Sequence, residues 1–223
     1  MRSTTAMALP GRQQNVRISA KPGLTSALRG RLEKARADGK SLRDRVPRTS
    51  HGEWTPATRR RDPVDLVLES SKGRIPELVP IRYGRMMVSP FTFYRATADI
   101  MAEDLASTPV TGLRAQLCGD CHLLNFNGYA TPERRLIFDL NDFDETLPGP
   151  WEWDVKRLVT SFVLAGRSNG FSRSNQRDAA LTCVRSYHEH MAEYADMLAQ
   201  AGFHPPTQHT LPASMNVAVI ATK

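Results

Sequence analysis

The sequence predicts an α+β fold, mainly helical, in which one short β-hairpin carries the chemistry. Three observations lead there. Apolar residues recur at helical spacing behind two start signals, Asp62-Pro63 and Ser89-Pro90, and again from Trp153 onward. Two short β-prone runs, Leu113–Leu117 and Arg135–Leu140, lie between those helices and are bounded by turn residues. Residues 1–60 are rich in Arg with scarcely an aromatic side chain, the composition of a disordered basic N-terminal arm.

In chain order, residues 1–22 show no period, and a modest helix is expected over Thr25–Ala37, stopped by Gly39. Residues 40–60 read as a basic linker. Asp62 is placed to cap a helix starting at Pro63, because the first turn leaves its amides unbonded and proline has none to waste. Leu66 and Val67 face inward from it. Pro76–Ser89 reads as a connector. Ser89-Pro90 repeats the start signal, with Phe93, Ile100, Met101 and Leu105 as one apolar stripe behind it. The strand Leu113–Leu117 is broken by Gly119, and Arg135–Leu140 is entered through Thr131-Pro132-Glu133. Trp153–Ala165 then has helical spacing. Ser174–Gln200 forms a long helix with Gly202 as its C-terminal cap. From 203 to 223 no period is sustained, so the chain divides into an arm (1–60), a folded domain (61–202) and an irregular tail.

Composition narrows the function. Of 223 residues, 40% are hydrophobic and 24% charged, ordinary values for a soluble protein. No run reaches the roughly 18 apolar residues of a membrane span, and the basic start lacks the apolar core of a secretory signal. A cytoplasmic location away from membranes is expected, where the three cysteines would be free thiols. Charge is unevenly spread. Residues 1–61 hold 15 Lys and Arg against 4 Asp and Glu, whereas the remainder holds 15 against 19. Such an arm could meet nucleic acid, yet its Arg residues are scattered and no RNA-binding or zinc-finger motif accompanies them. A solvated leader is the plainer reading.

The suggestive residues lie between Leu117 and Glu145, LCGDCHLLNFNGYATPERRLIFDLNDFDE. Cys118-x-x-Cys121-His122 has the spacing of a c-type haem attachment site. The missing export signal argues against haem. Zinc would need a fourth ligand, and Cys183, His188 and His190 lie far away in sequence. The same stretch also holds an ordered set of oxygen ligands. Asn125 follows Asp120 by five residues, and a strand then delivers Asp139, Asp142 and Asp144. Phosphoryl transfer asks for such a set: one carboxylate to orient the attacking hydroxyl, and oxygens to hold Mg²⁺ against phosphate. Turn-capping would explain one or two of these residues, but not the ordered series. The series resembles the loop of kinase-like phosphotransferases, and with Asp142-Phe143-Asp144 in the place of their Asp-Phe-Gly that resemblance implies that Asp120 orients the acceptor while Asn125 and Asp142 hold metal. Asp139 is the second choice and Asp144 stands beside it. Nucleotidyl transfer is open to the same residues. Arg82 and Arg85 flank Gly84 and could grip phosphate as planar forks.

Beyond these residues, the runs RIPELVPIRYGRM, SPFTFYRATADIMAEDLA, GDCHLLNF and NDFDETLPGPWEWDVKRLVTS closely resemble an uncharacterised bacterial family, domain of unknown function 2252 (DUF2252). The resemblance covers roughly Arg61 to His190, and the family is grouped with the protein-kinase-like superfamily. It implies a kinase-like C-lobe using Mg²⁺ and ATP, with a nucleotide as partner and an unknown acceptor. His122 is similar to the His of the catalytic loop in aminoglycoside and choline kinases, and Asp154 resembles the Asp that steadies that loop. This chain departs from the pattern at Cys118, where His is usual, at Ala96 in Tyr94-Arg95-Ala96, and at Asn127. Family members run longer, with Gly-rich and Lys-Glu-Ala segments after this region, an order that suggests circular permutation. Because the chain ends at Lys223, the expectation is a truncated phosphotransferase-like domain, or a non-catalytic remnant or binding module of the same fold.

Overall fold

The computed structural model describes residues 26–58, 60–200, 207–208 and 219–220. Helices dominate, and the strands pair antiparallel in twos. Helix α1 (Ser26–Arg45) runs through Gly39 rather than stopping there. One glycine costs a helix only about 1 kcal/mol. Against that cost, Lys34 and Asp38 pair one turn apart at 2.9 Å, and Leu42 and Val46 line an apolar cavity. The basic linker is thereby shortened, and it contains a 3-10 turn at Arg48–Gly52.

Helix α2 (Pro63–Ser70) starts where its cap dictates, with the Asp62 carboxylate accepting from the Val64 amide at 2.7 Å. Pro76–Ser89 is not a connector. A 3-10 turn at Pro76–Leu78 leads into α3 (Val79–Met86), and Pro80 sits in the first turn, where a missing amide costs nothing. Ser89 opens α4 (Pro90–Arg95) through a reciprocal capping box with Thr92, at 3.1 and 2.8 Å. The apolar stripe then divides. Thr97 is buried and its hydroxyl donates to the Phe93 carbonyl at 3.0 Å, which ends α4 before α5 (Ala98–Ala106) begins. Leu66, Val67, Met86 and Ile100 meet as the buried cluster that joins α2, α3 and α5, with Tyr83 and Ala96 packed against it.

Strand β1 (Arg114–Leu117) pairs antiparallel with β4 (Leu147–Pro150), Leu117 opposite Leu147. Nested between them is the hairpin β2 (Phe126–Ala130) and β3 (Leu136–Leu140), Phe126 opposite Leu140. Gly128 hides β2 in the sequence, and two prolines hide β4, which sits at the edge of a two-stranded sheet where proline is tolerated. The nesting has one consequence for the site. Residues 118–125 leave β1 and residues 141–146 return to β4, so the two segments run side by side. The Asn141 amide donates to the Asn125 carbonyl at 2.9 Å.

Helix α6 (Glu152–Ser168) follows β4 directly, and α7 (Arg173–Gln200) packs back along it. Gly166 lets the two approach, since a Cβ there would lie 3.0 Å from Gln176 Cγ. Trp151, at the entry to α6, stacks on Tyr187 with ring centres 6.0 Å apart. His188 and His190 are exposed. Thr207–Gln208 and Val219–Ile220 form a final short antiparallel pair, β5 and β6. The arm ahead of residue 26 and the cap position Gly202 lie outside the described residues. Among the described residues, no helix is long and apolar enough to cross a membrane.

Candidate functional site

The site is built from the loop that leaves β1. Gly119 turns the chain with φ +84°, a conformation that costs glycine little and other residues more. A Cβ at this position would meet the Glu145 carbonyl oxygen at 1.8 Å, so only glycine lets the loop lie against the segment returning to β4. Asp120 follows. Its Oδ1 accepts from Arg157 Nε at 2.7 Å and from Nη2 as well, and its Oδ2 lies 3.4 Å from His122 Nε2. Burial pushes the Asp120 carboxyl up, but the contact with His122 and the charge of Arg157 outweigh it and hold the carboxyl below the usual range. The group is therefore a carboxylate at neutral pH.

Arg157 is itself buried on α6. It donates to the Tyr94 carbonyl at 2.7 Å and lies 4.3 Å from the centre of the Tyr94 ring, whose hydroxyl donates back to the Arg157 carbonyl at 2.8 Å. A buried guanidinium with every face engaged is a rigid clamp. His122 is 2% exposed, and its Nδ1 has no partner among the described residues.

Asn125 is buried, and its amide nitrogen donates to the Asp120 carbonyl at 2.8 Å. That bond closes the loop on itself and leaves Oδ1 without a donor among the described residues. Asp154, in the first turn of α6, grips the loop from behind. Its two oxygens accept the Cys118 amide at 2.8 Å and the Gly119 amide at 3.2 Å. Burial pushes its carboxyl up, and the two amides offset part of that cost. Two turns later the wholly buried Ser161 accepts the Leu123 amide at 3.0 Å and donates to the Leu158 carbonyl. Cys118 and Cys121 are buried free thiols, and their contact with each other, then burial, pushes the Cys121 thiol well up.

The predicted residues separate into three groups. Asp120, His122, Asn125 and Asp154 come together at the loop. Asp142 lies next to it, since Asn141 is bonded to Asn125, and its Oδ1 accepts the Asp144 amide at 3.2 Å in an Asx turn. Asp139 and Asp144 are exposed; Asp139 stands opposite Asn127 in the hairpin and accepts its neighbour's amide at 2.7 Å. Arg82 and Arg85 are not brought to the loop. They lie on α3, where Arg82 donates to Ser71 and Ser70 hydroxyls and, at 2.8 Å, to the Ala96 carbonyl, tying helices together instead of gripping a ligand. Arg85 is exposed.

Sequence reasoning missed Arg157, Ser161 and Tyr94. Arg157 is one turn after Asp154 on the same helix, and an Arg inside an apolar stretch needs a buried acceptor; that was the available signal. Ser161 and Tyr94 carried none. The C-x-x-C-H run also divides differently from its spacing. Asp154, not His122, lies with the two thiols, while His122 turns to Asp120.

No curated protein and no solved structure matches the chain. A family model does, over a span that contains the loop, the β1–β4 and β2–β3 pairs, α6 and α7. By that match over residues 74–219, the chain belongs to the family of uncharacterised proteins conserved in bacteria, DUF2252.

Proposed function

We propose that the chain carries the catalytic loop of a phosphotransferase that uses Mg²⁺ and a nucleoside triphosphate such as ATP. The observation that carries this reading is the bond from the Asn141 amide to the Asn125 carbonyl, 2.9 Å, which draws the Asp142 turn onto the loop bearing Asp120. Asp120 orients the acceptor hydroxyl. Held ionised by Arg157 and His122, it is a weak base, which suits a transfer that needs positioning more than proton abstraction. Asn125 through Oδ1 and Asp142 through its carboxylate supply hard oxygen ligands of the kind Mg²⁺ takes. The metal, when bound, neutralises phosphate charge. Asp154 and Ser161 hold the loop still while this happens. Nucleotidyl transfer is a variant that the same residues permit.

Calorimetric titration of ATP into the chain, with and without Mg²⁺, tests the reading. Saturable binding that requires the metal is expected. In Asp142→Asn the affinity falls at least about tenfold, or ~1.4 kcal/mol, with an unchanged unfolding midpoint. A folded chain that takes up no nucleotide overturns the proposal in favour of a non-catalytic binding module of the same fold.

A further inference from the structure

We propose that Cys118, Cys121 and Asp154 form a zinc site that fastens the Asp120 loop to α6. The two Sγ atoms and a carboxylate oxygen all lie within 4.8 Å of one another. Among the described residues no other trio of His, Cys, Asp or Glu side chains meets that condition. Around tetrahedral zinc, with bonds of about 2.3 Å to sulfur and 2.0–2.2 Å to oxygen, ligand atoms sit roughly 3.3–3.8 Å apart. Small side-chain rotations close the difference.

The donor set selects the ion. Two thiolates and one carboxylate are too soft for Mg²⁺ or Ca²⁺ and suit Zn²⁺, which takes sulfur and oxygen alike. Binding releases the two thiol protons to solvent. Asp154 keeps its present duties, because a carboxylate has about four lone-pair positions and only two are used by the Cys118 and Gly119 amides. Gly119, with its left-handed backbone, turns the chain between the two cysteines, so both thiols face the same side of the loop. Burial of each at 7% exposure shields a bound ion from competing ligands. Three protein ligands leave the fourth position to water.

The site is independent of nucleotide binding, yet it bears on Asp120. That residue lies between the two cysteines, so an ion joining them to α6 fixes the loop at both sides of the carboxylate.

Cobalt(II) replaces zinc as a spectroscopic probe of the test. Added to the reduced chain, it is expected to bind one per chain with thiolate-to-cobalt charge-transfer absorption in the near ultraviolet, and Zn²⁺ displaces it. Cys118→Ser and Cys121→Ser each abolish the band, whereas Cys183→Ser, outside the trio, keeps it. No charge-transfer band, or a band that survives in both loop variants, overturns the assignment. Loss of the band in Cys183→Ser also overturns it. If the loop variants do not fold, zinc-edge X-ray absorption of the unaltered chain decides: two sulfur ligands support the site, and any other sulfur number refutes it.

Discussion

Gly119 is the residue on which the loop turns. Replacing it by alanine adds a Cβ 1.8 Å from a backbone oxygen and forces a non-glycine residue to φ +84°. The two nearest atoms, at 1.8 and 2.5 Å, belong to the Glu145 backbone carbonyl, not to a flexible side-chain end, so the loop must move. Gly119→Ala is expected to destabilise by at least about 2 kcal/mol, measured as the shift in urea midpoint. A shift below about 0.5 kcal/mol, the range of ordinary surface changes, would refute the close approach. Asp120 makes a second residue-scale prediction. Its folded pKa is depressed, so the unfolded chain binds the proton first, and the stabilisation is complete above the unfolded value near about 4. It is lost as pH falls through the lower, folded value. Wild type should therefore lose stability more steeply below pH ~4 than Asp120→Asn does. Parallel acid profiles would show that the His122 contact and the Arg157 pairing together contribute nothing.

At the scale of elements, α6 is the platform. Asp154, Arg157 and Ser161 follow one another at steps of three and four along it, so all three reach the same loop. Each answers a backbone or side-chain group that the loop could not satisfy alone. Removing the Ser161 hydroxyl leaves the half-buried Leu123 amide without its acceptor. Ser161→Ala should cost about 1–3 kcal/mol and speed hydrogen exchange at Leu123 in particular. An unchanged Leu123 exchange rate would mean that another acceptor stands ready. The first turn of α6 also favours the two acidic residues it carries, Glu152 and Asp154, because the helix N-terminus is electropositive.

Across the whole molecule the packing is uneven. The buried apolar cluster joins α2, α3 and α5, while Leu136, Phe138, Met87 and Val88 are widely exposed. A cavity of about 1690 Å³, lined by apolar side chains such as Leu42, Phe93, Val159, Leu164 and Val184, opens between α1, α4, α6 and α7. A native chain with such a cavity should bind an apolar fluorophore of the anilinonaphthalene sulfonate type saturably, without any denaturant. Fluorescence that stays at the free-dye level in the folded chain would mean that the cavity is closed in solution.

Much of this protein is legible locally. Asp62 and Ser89 fix helix starts because a cap and its amides lie within three residues, and the apolar stripes place Leu66, Val67, Ile100 and Leu105 inward by period alone. The order Asp120, Asn125, Asp142 and the family are also written in the sequence. Prolines concealed α3 and β4, since the rule that they interrupt structure fails in first turns and at sheet edges. What only the tertiary structure decided is who meets the loop. Arg157 and Asp120 are 37 residues apart, and the thiols stand a similar distance from Asp154. Such pairs depend on α6 packing against the loop that leaves β1, and the packing of α3 on its neighbours makes Arg82 a brace between helices. Local hydrogen bonds are encoded in a few neighbouring residues, whereas the partners of a buried charge are chosen by the fold.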